Sequence, residues 1–152
     1  MATRNQSGFT LVEALVAVGV LSILLTAAGP TLSALIATQQ VRNAGFDLSS
    51  ALIAARSEAL TRNASVTVTP VTPENWALGW TVQEEGGTVL RRQNAYARVT
   101  ATGPARVIFN SDGRPDNVNT PFALTAPDVA ADNARCVRVR LNGRPAIAKG
   151  GC

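Results

Sequence analysis

A chain of 152 residues, 46% hydrophobic and 16% charged, has room for one compact domain plus a terminal segment and is too apolar for a disordered tail. Its net charge of +4 is unevenly placed: no charged residue lies between Ala14 and Val41, whereas Arg135, Arg138, Arg140, Arg144 and Lys149 crowd the C-terminal stretch with no acid beyond Asp132. One end suits lipid and the other suits anions.

Arg4 supplies a basic start, but the apolar run from Ala14 to Ala37 is longer than the core of a secretory signal peptide and exceeds the about 20 residues that cross a hydrocarbon layer. The run predicts a membrane helix, with Gly19, Gly29 and Pro30 as interruptions that neighbouring helices can tolerate and a bend near Pro30. Glu13 is the anomaly. A carboxylate inside such a segment costs a few kcal/mol or more and needs a partner, and the nearest candidate is a positive charge from outside this helix.

Gly8-Phe9-Thr10-Leu11-Val12-Glu13, followed by that run, resembles the cleavage and methylation motif of type IV pilins and of the pseudopilins of type II secretion. The resemblance implies that a prepilin peptidase cuts after Gly8, that Phe9 becomes the N-methylated N-terminus, and that Glu13 pairs with the terminal amine of a neighbouring subunit during filament assembly. Pro30 stands where members of the family carry a helix-kinking proline. On this reading 1–8 is a leader peptide, 9–37 a transmembrane and filament-core helix, and 38–152 a periplasmic domain anchored in a bacterial inner membrane by a single pass.

Beyond the run, Val41, Gly45, Leu48, Leu52, Ala55 and Ala59 recur at helical spacing, with Phe46, Ile53 and Leu60 beside that stripe and Arg42, Arg56, Glu58 and Arg62 mostly away from it. The helix is expected to continue to about Asn63, a residue that accepts the left-handed conformation found at helix ends. Short β-like runs follow at Ser65–Thr69, Gly79–Gln83, Thr88–Arg91, Arg106–Phe109, Phe122–Thr125, Cys136–Leu141 and Arg144–Ala148. Gly86-Gly87, Asp112-Gly113 and Asn142-Gly143 are turn signals between them. The fold class is α+β: a long N-terminal helix packed on an antiparallel sheet, with Trp76 and Trp80 in its core or beside a loop.

The stretch from Ala55 to Asn63, the Gly79-Trp80 pair, Ile108-Phe109 before Asp112-Gly113, and Asn142-Gly143-Arg144 are similar to the GspH/FimT branch of the pilin superfamily. That resemblance implies a minor subunit near the filament tip, with other pilin or pseudopilin subunits as partners through the N-terminal helix.

No enzyme signature is present: the chain has no histidine, no Gly-x-Ser-x-Gly elbow, no phosphate-binding glycine loop and no clustered metal ligands, so neither catalysis nor a cofactor is expected. Asp112, Asp116, Asp128 and Asp132 are read as turn residues, with a calcium site as the alternative.

In the C-terminal stretch, alternation places Val137, Val139 and Leu141 on one face and Arg138 and Arg140 on the other. A two-residue Asn142-Gly143 turn sets Cys136 opposite Lys149, lets Gly150-Gly151 return Cys152 to Cys136 as a disulfide, and puts Lys149 on the outer face. Unpaired buried thiols are the alternative for the cysteines. The same register pairs Arg144 with Leu141 on the inner face, unless the turn is longer. Arg138, Arg140, Arg144 and Lys149 are the candidate contacts for double-stranded DNA, through its phosphates. FimT-type minor pilins of naturally transformable bacteria are similar here, binding DNA through Gly-Arg-x-Arg; Gly143 and Arg144 match, and Ala146 departs from it. The alternative is a minor pseudopilin of a type II secretion system, with the basic strand a solvated face.

Overall fold

A computed structural model describes residues 9–116, 120–127 and 129–152, the side chains of 27–31 excepted. Gly8 and Asp128, the side chain of Pro30 and the bend expected there lie outside the described residues. Helix α1 is assigned over Leu11–Arg62. The chain divides into two units, residues 1–33 and residues 34–152.

In the first unit α1 begins with a side-chain cap: the Glu13 amide donates to Thr10 Oγ1 at 3.3 Å. Leu11, Val12, Leu15, Val18, Leu21 and Leu25 are all exposed. Among the described residues no helix is long and apolar enough to cross a membrane; the expected span from Ala14 to Ala37 runs through 27–31.

In the second unit α1 buries Val41, Ala44, Leu48, Ala51, Leu52, Ala55 and Ala59 against the sheet. The predicted stripe is therefore the core face, but it widens toward Ala44 and Ala51, small residues that let helix and sheet approach closely. Phe46, Ile53 and Leu60 point outward at 52%, 56% and 46% exposure. Asn63, at φ 51°, ends α1, and the Ala64 amide reaches back to the Ala59 carbonyl at 3.3 Å, closing the final turn as expected.

Eight strands follow: β1 Val66–Thr72, β2 Asn75–Glu84, β3 Val89–Gln93, β4 Thr100–Thr102, β5 Val107–Phe109, β6 Phe122–Thr125, β7 Arg135–Val139 and β8 Pro145–Lys149. They form one antiparallel sheet in the order β5-β1-β2-β4-β6-β7-β8, with β3 also paired to β2. The β-like runs of the sequence correspond to all of these except β4 and the first half of β2. There Trp76 and Trp80 fill the core: Trp76 donates through Nε1 to the Pro104 carbonyl at 2.9 Å and meets Phe122 edge-on, and Trp80 stacks on Tyr96. Gly79, at φ 93°, is required by close approach, because a Cβ there would strike the Gln93 carbonyl of β3.

Candidate nucleic-acid interface

The last hairpin departs from the expected register by one residue. Arg138 pairs with Ala146, Val139 with Pro145, Cys136 with Ala148 and Arg135 with Lys149. Its loop has three residues, Leu141-Asn142-Gly143. The Gly143 amide donates to the Arg140 carbonyl at 2.8 Å, the Arg140 amide to the Arg144 carbonyl at 3.0 Å, and the Arg144 amide to Asn142 Oδ1 at 3.1 Å. Gly143, at φ 76°, takes the left-handed position that such a loop needs. A one-residue slip exchanges the two faces of a strand. Here it turns Ile147 inward, where it packs against the core beside fully buried Val137, and sends Ala146 and Ala148 outward. Burying isoleucine rather than two alanines favours the longer loop.

The slip also redistributes the cations. Arg144 now lies across from Arg140, on the same face as Arg138, and all three are exposed. Lys149 falls on the opposite alternation, at the far end of β8, with Nζ 3.8 Å from Asp132 Oδ2. The arginines are thus brought together and Lys149 is not. Among the described residues no Asp or Glu side chain pairs with Arg138, Arg140 or Arg144.

Cys136 and Cys152 form a disulfide with Cα atoms 5.2 Å apart. Gly150, at φ 97°, starts the return, and its amide donates to the Ala134 carbonyl at 2.9 Å. The predicted bridge forms although Cys136 faces Ala148, because Gly150-Gly151 can follow either register. A main-chain oxygen of Cys152 accepts a hydrogen bond from Arg138 Nη2 at 3.2 Å. The returning segment and the outer strand face bound an open cleft of about 400 Å³ that includes Arg138, Arg140 and Gly151.

A second turn beside this hairpin, at the expected Asp112-Gly113, repeats its construction, a likeness that the turn signals alone do not reveal. The Gly113 amide donates to the Asn110 carbonyl at 2.8 Å, the Asn110 amide to the Arg114 carbonyl at 2.9 Å, and the Arg114 amide to Asp112 Oδ1 at 3.0 Å. Gly113 has φ 73°. The readable signal was the recurrence of Asp112-Gly113-Arg114-Pro115 as Asn142-Gly143-Arg144-Pro145. Arg56 of α1 lies against both turns. Its Nε donates to the Gly113 carbonyl at 3.1 Å, and a Cβ on Gly143 would collide with that carbonyl and lie 2.8 Å from Nε. Arg56, Ile53, Gly143, Arg144 and Pro145 line a cleft of about 300 Å³.

Among the described residues no three His, Cys, Asp or Glu side chains are placed to hold a metal ion. What these surfaces offer is hydrogen-bond donors and positive charge.

The family model described as type II transport protein GspH matches residues 44–143, from the buried face of α1 to the glycine of the last turn. The chain belongs to the GspH family. A second model, the prokaryotic N-terminal methylation motif, matches residues 3–29. Two crystal structures of the type IV minor pilin FimU of Pseudomonas aeruginosa share the fold, with TM-scores of 0.61 and 0.63 at 20% identity. The superposition covers 70% and 72% of this chain and 91% and 89% of the FimU chains. Comparison with curated proteins gives no significant match. As a GspH-family protein with a methylation motif, the chain is a subunit of the pilin and pseudopilin superfamily. The GspH match includes Arg138 and Arg140 but stops short of Arg144 and β8.

Proposed function

We propose that this protein is a minor, non-catalytic subunit of a type IV pilus that contacts double-stranded DNA through Arg138, Arg140 and Arg144. The observation that carries this reading is the hairpin register, which puts these three exposed arginines on the same alternation, with no Asp or Glu side chain paired to them among the described residues. Such a row suits a phosphate backbone, which is bound irrespective of sequence and with strong dependence on salt. Lys149, at the other end of β8 beside Asp132, is not part of the row.

In this reading a prepilin peptidase cuts between Gly8 and Phe9, Phe9 is N-methylated, and the exposed leucines and valines of 11–25 enter first the inner membrane and then the filament core. The domain from about residue 38 onward faces the periplasm. The type IV minor pilin FimU supports the pilus assignment by fold. The GspH description supports a second reading, a pseudopilin of type II secretion in which the arginine face is a solvated surface.

The test is a salt titration of duplex binding with the full chain in a neutral detergent. The wild type is expected to bind at low salt with log affinity falling linearly with log salt, by about 0.9 per phosphate contacted. The Arg140→Gln/Arg144→Gln double variant is expected to bind more weakly and with a shallower slope. Absence of wild-type binding at low salt would sink the DNA reading in favour of the secretion pseudopilin.

A further inference from the structure

We infer that Arg114, in the turn that duplicates the hairpin loop, is a further phosphate-contacting residue, so that the anion-binding surface spans two Gly-Arg-Pro turns rather than one. The inference rests on the DNA reading above and extends it to a residue outside the strand pair that suggested it.

The two turns are built alike in every respect that positions the arginine. Each closes with the same three hydrogen bonds, each puts its glycine in the left-handed region, and each arginine precedes a proline that holds it extended. Phe109 bridges to Pro115 as Val139 pairs with Pro145. Gly143 and the Gly113 carbonyl are in such close approach that no side chain fits between them, and Arg56 donates to that carbonyl from the α1 side. Side by side, the turns enclose an open groove of about 520 Å³, with Arg114 and Pro115 on one wall and Leu141 and Asn142 on the other. Leu141 and Asn142 also line the adjoining depression that contains Arg140. Arg114 thus borders the surface already assigned to the phosphate backbone.

One group opposes the proposal. Asp112 Oδ2 lies 3.6 Å from Arg114 Nε, with Arg114 75% and Asp112 58% exposed. An exposed pair of this kind contributes little, and a phosphate can compete for the guanidinium. The twin turn carries Asn142 where this one has Asp112, with the side-chain oxygen in the same hydrogen bond, so Asp112→Asn removes the charge while preserving the turn.

The experiment measures the salt dependence of binding to a short random-sequence duplex, using the full chain in neutral detergent, for Arg114→Gln, Arg144→Gln, Asp112→Asn and Arg92→Gln. Arg92 is an exposed arginine on β3 and serves as the charge-matched control. Arg114→Gln and Arg144→Gln are each expected to lower the log-log slope by about one, with weaker binding at low salt. Asp112→Asn should tighten binding and Arg92→Gln leave the slope unchanged. An unchanged slope for Arg114→Gln, an equal fall for Arg92→Gln, or no gain from Asp112→Asn overturns the inference. If Arg144→Gln lowers the slope and Arg114→Gln does not, the two-turn surface fails while the DNA reading stands. A wild type that does not bind overturns both.

Discussion

Tyr96 shows how one side chain ties the helix to the sheet. Its hydroxyl donates to Asp47 Oδ2 on α1 at 2.7 Å, its ring stacks on Trp80, and its amide donates to the Ala77 carbonyl at 2.9 Å. Burial first, and then the hydrogen bond to Asp47, hold the phenol's pKa above its ordinary value. The sign follows directly: the folded state keeps the proton more tightly than the unfolded chain, so this contribution is complete below the unfolded phenol's pKa of about 10 and is lost as pH rises beyond it. Thermal midpoints should therefore fall above about pH 10 in the wild type. Tyr96→Phe should cost about 1 kcal/mol at neutral pH, from the lost hydrogen bond, and should flatten the alkaline fall. An equally steep fall in the phenylalanine variant would assign it to other groups.

Among the elements, α1 and most strands were legible because their burial follows a period. Val41 through Ala59 repeat at helical spacing, and Val66 and Val68 alternate with polar neighbours. Strand β4 escaped because Thr100-Ala101-Thr102 lacks the large apolar residues that mark the equally short β5, and its position depends on pairing Asn75 with Thr102 and Ala101 with Leu124. The final hairpin escaped in a more instructive way. Asn142-Gly143 is a good two-residue turn by local chemistry, but burial of Ile147 and the packing of Gly143 on the Gly113 turn require a three-residue loop. Both are tertiary facts. The disulfide survived the error because it depends on the flexible glycines rather than on the register. Joining residues at a sequence separation of 16, it should contribute about 3 kcal/mol in the chain-entropy model. Cys152→Ala should lower unfolding stability by about that much in denaturant titrations, and reductant should shift the wild type toward the variant while leaving the variant unmoved. A wild type that reductant does not shift would show that the bridge contributes nothing.

At the scale of the whole molecule, apolar side chains without cover and an arginine face belong to different parts of the chain, and Glu13 is where the apolar part must explain a charge. Two physical accounts compete. Thr10 caps the Glu13 amide, and a Glu or Gln at this third helical position suits a capping box even without a partner subunit. A capping role is served by glutamine as well as by glutamate. Pairing with a neighbour's terminal ammonium in a medium of low dielectric requires the charge itself. Glu13→Gln therefore separates them. If pairing drives assembly, both Glu13→Gln and Glu13→Ala should be cleaved normally, retain helix content by circular dichroism, and fail to enter filaments when sheared fractions are probed. Normal incorporation of the glutamine variant, with loss confined to alanine, would reduce Glu13 to a helix cap and leave assembly to apolar packing alone.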